Sequence, residues 1–195
     1  MLSTLSSCIV VKEKAPTKYE AKPSEWAESS DIGVAGEIVA SKSGDIAINI
    51  GSGWTPLNSF GENKNLIFSG KNEEETLILA LSVHGNSDIE IEKGESVSPK
   101  VLGLAMEKVK QTLSGKGKAT IVGDPQVFKV QDQNHLLYKV STTSGATSTF
   151  GMITIAKTGN IYNLLIIPVP DIVKRVPGEE EIEKMVKDIT KTVLI

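Results

Sequence analysis

The side chains that most often do chemistry are few in this sequence. The 195-residue chain has two histidines, His84 and His135, and one cysteine, Cys8. A metal or catalytic histidine needs His, Asp or Glu partners a few residues on, sharing its face. His84 has Asp88 four residues on, but Gly85-Asn86 put a turn between them, and His135 has no such partner downstream. Both read as surface or strand-end histidines. Gly51-Ser52-Gly53-Trp54-Thr55-Pro56 begins like a dinucleotide loop but lacks the third glycine, and Pro56 obstructs the helix start that would face a phosphate. Gly115-Lys116-Gly117-Lys118-Ala119-Thr120 follows a helical pattern rather than a strand, and its glycines are wrongly spaced for a phosphate cradle. No Gly-x-Ser-x-Gly elbow occurs. A single cysteine excludes an intramolecular disulfide framework and a cysteine-built zinc site. These residues predict no catalytic side chain, no metal and no cofactor. A hydrolase is the enzyme alternative, and it lacks a recognisable nucleophile setting.

The cysteine is informative by position. Leu5-Ser6-Ser7-Cys8 is an apolar residue, two small ones and a cysteine. That is the pattern of a bacterial lipobox, in which the thiol is diacylated and the cysteine becomes the new N-terminus. Only seven uncharged residues precede it, short of a basic region plus an apolar stretch of about 7–15 residues. Residues 1–8 therefore read as a truncated signal remnant. Residues 12–31 are rich in Lys, Glu, Pro, Ser and Ala and poor in large aliphatics, the composition of a flexible tether. The division expected is 1–8 signal remnant, 9–31 tether, and 32–195 a folded domain. Lipidation at Cys8 would hold the protein at a membrane, in the bacterial cell envelope and facing the periplasm or exterior. A soluble cytoplasmic domain with an accidental Cys8 is the alternative.

Three aromatics at strand ends, Trp54, Phe60 and Tyr162, form the candidate binding surface. Such residues are more often core, but a tryptophan flanked by glycines at a strand end is placed to be either a lid on the core or a contact. Glu179-Glu180-Glu181 reads as charge suited to a helix N-terminus rather than an acidic docking site.

The elements that must position these residues follow from periodicity. A net charge of −3 with one arginine, Arg175, among 21 basic residues argues against nucleic acid as a partner. No apolar run approaches the 18 residues or so that a spanning helix needs. Strands are expected at Gly36 to Ala40, Ile46 to Ile50 (half-buried), Leu66 to Ser69 and Thr76 to Val83, with a short charged piece at Ile89 to Glu92. Gly70 to Glu74 reads as a hairpin turn. Ser98 as N-cap and Pro99 at the first position start a helix whose stripe is Leu102, Met106, Val109 and Leu113, ended by Gly115. Ala119 to Val122, Gln126 to Val130 and His135 to Ser141 are strands, with turns at Asp124-Pro125 and Asp132 to Asn134. Thr149 to Ala156 and Ile161 to Ile167 form a hairpin around Lys157 to Asn160. A last amphipathic helix carries Ile182, Met185, Val186, Ile189 and Val193 on one face. Short turns between consecutive strands imply a largely antiparallel sheet with a mid-chain and a C-terminal helix packed on it, an α+β fold.

This order of elements resembles the Mog/PsbP-like fold, an α/β/α sandwich, and within it the DcrB-like bacterial envelope lipoproteins. The resemblance covers residues 44–195. It rests on the opening strand that ends at Gly53-Trp54, the helix entered through Ser98-Pro99, the strand Gly159-Asn160-Ile161-Tyr162-Asn163-Leu164, and the aliphatic end Ile189 to Ile195. The chain lacks the family's terminal Phe and has a longer linker. The resemblance implies a non-enzymatic binding or accessory module with an envelope protein as partner. It carries over no functional residue.

Overall fold

The computed structural model describes residues 37–57, 65–86, 91, 96–114, 119–142, 148–170 and 174–195. Cys8, the tether expected at 9–31, Phe60 and Gly115 lie outside them, as does nearly all of the piece at 89–92. Among the described residues the strands are β1 (Ile38–Ala40), β2 (Ala47–Asn49), β3 (Trp54–Pro56), β4 (Leu66–Asn72), β5 (Leu77–Asn86), β6 (Ala119–Val130), β7 (Gln133–Thr142), β8 (Ser148–Ile155) and β9 (Asn160–Pro168). The helices are α1 (Pro99–Ser114) and α2 (Glu179–Thr190).

Seven strands form one antiparallel sheet in the order β3-β4-β5-β9-β8-β7-β6, and β1 and β2 pair as a separate ribbon. Alternation along each strand assigns its two faces. Leu136, Tyr138, Val140, Ile153, Ile155 and Ile161 face α1, which buries Leu102, Ala105, Met106 and Val109 against them. Leu77, Leu79, Leu81, Met152, Tyr162, Leu164 and Ile166 face the other way, toward the ribbon and Ile182, Val186 and Ile189 of α2. The chain is thus an α+β sandwich with a sheet between two covering layers. The mid-chain helix starts as expected: Ser98 Oγ accepts the Val101 N–H at 3.4 Å, and Pro99 is its first residue.

Several expectations are corrected. Ile46–Ile50 does not join the main sheet, and it is buried on both faces rather than half-buried. Ala47, at 5% exposure, exchanges both backbone hydrogen bonds with Leu194, each 2.9 Å, so the C-terminal tail covers the ribbon's second side. Trp54–Pro56, where the opening strand is expected to end, is instead the separate edge strand β3 paired with Gly70–Asn72. The turn expected at 70–74 moves to 73–76, because β4 continues through Asn72, whose Oδ1 accepts the Leu77 N–H at 2.8 Å. Asp124-Pro125 is not a turn between two strands. The pairing shifts from Val122↔Lys139 to Gln126↔Leu137 within one continuous strand, so it is a bulge, with Gly123 at φ +73 making the kink. Val193 lies past the end of α2 but remains buried. His135 is 2% exposed, not a surface residue.

Candidate functional site

The glycines before Trp54 are what open a site. Gly51 and Gly53 take φ +79 and +91, a region costly for any residue with a Cβ. Two left-handed residues within three positions swing the chain out of the ribbon and into the edge of the main sheet, with Trp54 at the corner. A groove of about 430 Å³ lies between this corner and α2. Ile50, Ser52, Gly53 and Trp54 line one side, Asn72 and Leu77 line the base, and Glu181, Lys184, Met185, Asp188 and Ile189 line the other. These helix positions are i, i+3, i+4, i+7 and i+8, one face of α2.

The groove combines an apolar lining with a charged rim. Leu77 and Ile189 are buried and Trp54 is half-buried. Two rim charges are already engaged. Glu181 accepts the Gly178 N–H at 2.8 Å and pairs with Arg175 at 3.0 Å. Asp188 pairs with Lys191 at 2.7 Å. Lys184 is exposed and has no ion-pair partner among the described residues. The chemistry offered is apolar burial beside one cation.

Tyr162 does not line this groove. Trp54 stands in the cross-strand row through Asn72 and Leu77, whereas Tyr162 pairs with Val83. Six residues along β5, about 20 Å, separate the two rows. Tyr162 is 2% exposed and its hydroxyl donates to Asp45 at 2.5 Å. The same carboxylate accepts from Ser41 at 2.7 Å, Ser43 at 2.6 Å, Thr158 at 2.5 Å and Asn160 at 2.8 Å. Burial pushes the Asp45 pKa up, but the bonds from Ser43, Thr158, Tyr162 and Ser41 outweigh it and hold the carboxyl far below its usual range. Burial and the Asp45 hydrogen bond raise the Tyr162 hydroxyl. This polar knot fastens the β1–β2 turn to the β8–β9 hairpin.

A polar row on the α1 side of the sheet was not anticipated. Tyr138 on β7 donates to Asn163 Oδ1 on β9 at 2.7 Å, both buried. Its ring lies across Gly151 of β8, where a Cβ would come within 2.4 Å of Tyr138 Cζ. Ser82 of β5 stands opposite Asn163, and its Oγ is 2.9 Å from His84 Nε2. Burial raises the Tyr138 hydroxyl well above its ordinary range. The serine–histidine contact joins two same-face neighbours of one strand, and Ser82 Oγ also reaches the Asn163 carbonyl at 3.4 Å. The sequence signal for this row was a lone asparagine and a glycine, each inside an otherwise apolar strand. No group of three or more His, Cys, Asp or Glu side chains among the described residues is arranged to hold a metal.

No family model matches the chain, and no curated protein matches its sequence. Solved structures do. The cyanobacterial PsbP (CyanoP) of Synechocystis sp. PCC 6803 superposes with a TM-score of 0.54 at 12% identity, over 85% of this chain and 96% of that one. The Ran-binding protein Mog1p of Saccharomyces cerevisiae gives a TM-score of 0.49 at 11% identity, over 83% and 96%. At such identities the likeness is one of fold, and the α+β sandwich expected from the order of elements is the one found.

Proposed function

We propose that this chain is a non-enzymatic binding module, held at the bacterial envelope by lipid on Cys8 and engaging a protein partner through the groove beside Trp54. The observation that carries the binding role is the groove itself. Trp54 is half-buried on a three-residue edge strand beside Leu77 and Ile189, with Lys184 at the rim lacking an ion-pair partner among the described residues. An aromatic anchor in a concave apolar setting with a polar rim is how protein partners are gripped. The matching ligand is a segment presenting an apolar side chain next to a carboxylate. The envelope address rests on Leu5 to Cys8 and the tether composition of residues 12–31, and the DcrB-like kinship on the resemblance across residues 44–195.

Two measurements test the two halves. Metabolic labelling with palmitate should mark the full chain, expressed behind its natural upstream sequence, and Cys8→Ser should abolish the label. An unlabelled chain ends the lipoprotein reading. A photo-crosslinking residue at position 54 should give a discrete protein adduct in intact cells, while one at Leu104, 55% exposed on the outer side of α1, gives none. Equal patterns from both positions end the groove reading.

A further inference from the structure

We infer that Thr192 is a positioning residue for the groove: its hydroxyl ties the helix wall to the ribbon wall and fixes the spacing at which a partner is received. The inference rests on the groove being a binding site and names what holds that site in shape. Thr192 lies just past the end of α2. Its Oγ1 is 2.7 Å from the Ile189 carbonyl, 2.8 Å from the Asn49 carbonyl and 3.0 Å from the Asn49 nitrogen. Ile189 lines the groove from α2, and Asn49 precedes Ile50, which lines it from the ribbon. One side-chain oxygen therefore touches the backbone of both walls.

A hydroxyl has one proton to donate and lone pairs that accept. The Asn49 N–H donates to Oγ1, and the single O–H donates to one of two carbonyls, Ile189 or Asn49. With the proton toward Ile189, hydrogen bonds run unbroken from the ribbon backbone through Oγ1 to the last turn of the helix. With the proton toward Asn49, the threonine satisfies both backbone groups of a ribbon residue, as a neighbouring strand would. Leu194 exchanges two bonds of 2.9 Å with Ala47, and Val193 is buried, so the hydroxyl is held in place from its C-terminal side.

Asn49 passes the constraint on to the Trp54 corner. Its Oδ1 accepts the Gly51 N–H at 2.9 Å. Gly51 is the first of the two left-handed glycines that swing the chain out to Trp54. The contacts thus form one line across the site: Ile189 carbonyl, Thr192 hydroxyl, Asn49 backbone, Asn49 side chain, Gly51 N–H. A groove held at one spacing meets its partner preorganised. A groove whose walls drift must be ordered on binding, and that ordering lowers affinity.

Thr192→Val keeps the shape of the side chain and removes its hydroxyl, while Thr192→Ser keeps the hydroxyl. In the full chain carrying Cys8→Ser, spin labels at Ser52→Cys and Lys184→Cys, exposed on facing walls, report the spacing by dipolar distance measurement. Thr192→Val should lengthen and broaden the distance distribution, and Thr192→Ser should leave it as in the parent. In the unlabelled full chain, Thr192→Val should lower the adduct formed by a crosslinker at position 54 about three- to tenfold, the range of one lost hydrogen bond, and Thr192→Ser should retain it. Tyr138→Phe, in the polar row on the other face of the sheet, controls for general destabilisation: it should lower Tm and leave both readouts unchanged. An unchanged distribution in Thr192→Val, an equal change in Thr192→Ser, or an equal change in Tyr138→Phe would each overturn the inference. An adduct at position 54 together with an unchanged distribution would keep the groove as a binding site and remove Thr192 as its positioning residue. No adduct in the parent chain would end the groove reading, and this inference with it, whatever the distances show.

Discussion

His135 is a histidine that burial takes out of its ordinary titration range. It lies 2% exposed on β7, its ring 5.7 Å from that of Phe128, and its Nδ1 has no hydrogen-bond partner among the described residues. Burial lowers its pKa from 6.5 to about 4. Between those values the unfolded chain binds a proton that the folded chain refuses, so stability falls as the pH drops from 6.5 toward 4. The loss is about 3 kcal/mol at full extent. Thermal unfolding across this range should show a fall in Tm that His135→Phe largely removes; an equal fall in the variant would remove His135 as its cause. Asp45 acts in a lower window. Its carboxyl is held far below the usual 3.8, so its contribution is complete above that value and is lost as the pH falls below it. Asp45→Asn should cost about 2 kcal/mol at neutral pH, the scale of hydrogen bonds to a charged group. It should also flatten the acid limb below pH 4, as read by urea unfolding at several pH values.

At the scale of elements, the strands are held in place by devices that cross them. The Tyr138 ring spans Gly151 to reach Asn163, so β7, β8 and β9 are joined by a side chain as well as by their ladders. A Cβ at position 151 would come 2.4 Å from Tyr138 Cζ, in a strand buried on both faces. Gly151→Ala should destabilise by about 1–3 kcal/mol through this overpacking, and more if the displaced hydroxyl leaves Asn163 unpaired. Denaturant midpoints of Gly151→Ala, Tyr138→Phe and the double variant separate the two effects. If the strain comes from the ring and the loss from the hydroxyl, the costs will not add. The C-terminal helix is fixed at its start, where Glu179 accepts from Lys139 at 2.7 Å and Ser148 at 2.6 Å. The Lys139 and Ser148 hydrogen bonds lower the Glu179 pKa. This pair is exposed and adds little energy, but it ties the start of α2 to β7 and β8.

For the whole molecule, the arrangement of layers puts the groove at a junction of three parts: the ribbon, the edge of the main sheet and the last helix. The C-terminal tail and Glu37 both pair at the ribbon. Leu194 pairs with Ala47, Thr192 Oγ1 donates to the Asn49 carbonyl at 2.8 Å, and Glu37 pairs beside Gly51. If the protein works at a membrane surface, Trp54→Ala should abolish the partner adduct formed by a crosslinker at Met185 while leaving palmitate labelling of Cys8 intact. Cys8→Ser should do the reverse, shifting the protein out of the membrane fraction with its Tm unchanged. Loss of both readouts in either variant would mean that anchoring and groove are not independent.

The elements were legible in the sequence because local physics sets them. Ser98-Pro99 starts α1, the stripe of Ile182, Met185, Val186 and Ile189 faces the core, and Lys157 to Asn160 turns one hairpin. Each is decided by residues near one another in the chain. Trp54 was singled out for the same reason, since glycines at 51 and 53 are a local signal. The tertiary structure decided which strands share a sheet, that Asp124-Pro125 is a bulge, and that Ala47 is covered from its second side. It also separated Trp54 from Tyr162 by about 20 Å and brought Asp45 to Thr158 and Tyr138 to Asn163. Those outcomes depend on pairing register and on which layer lies over which face. No window of neighbouring residues contains that information, because contacts of long sequence separation set it.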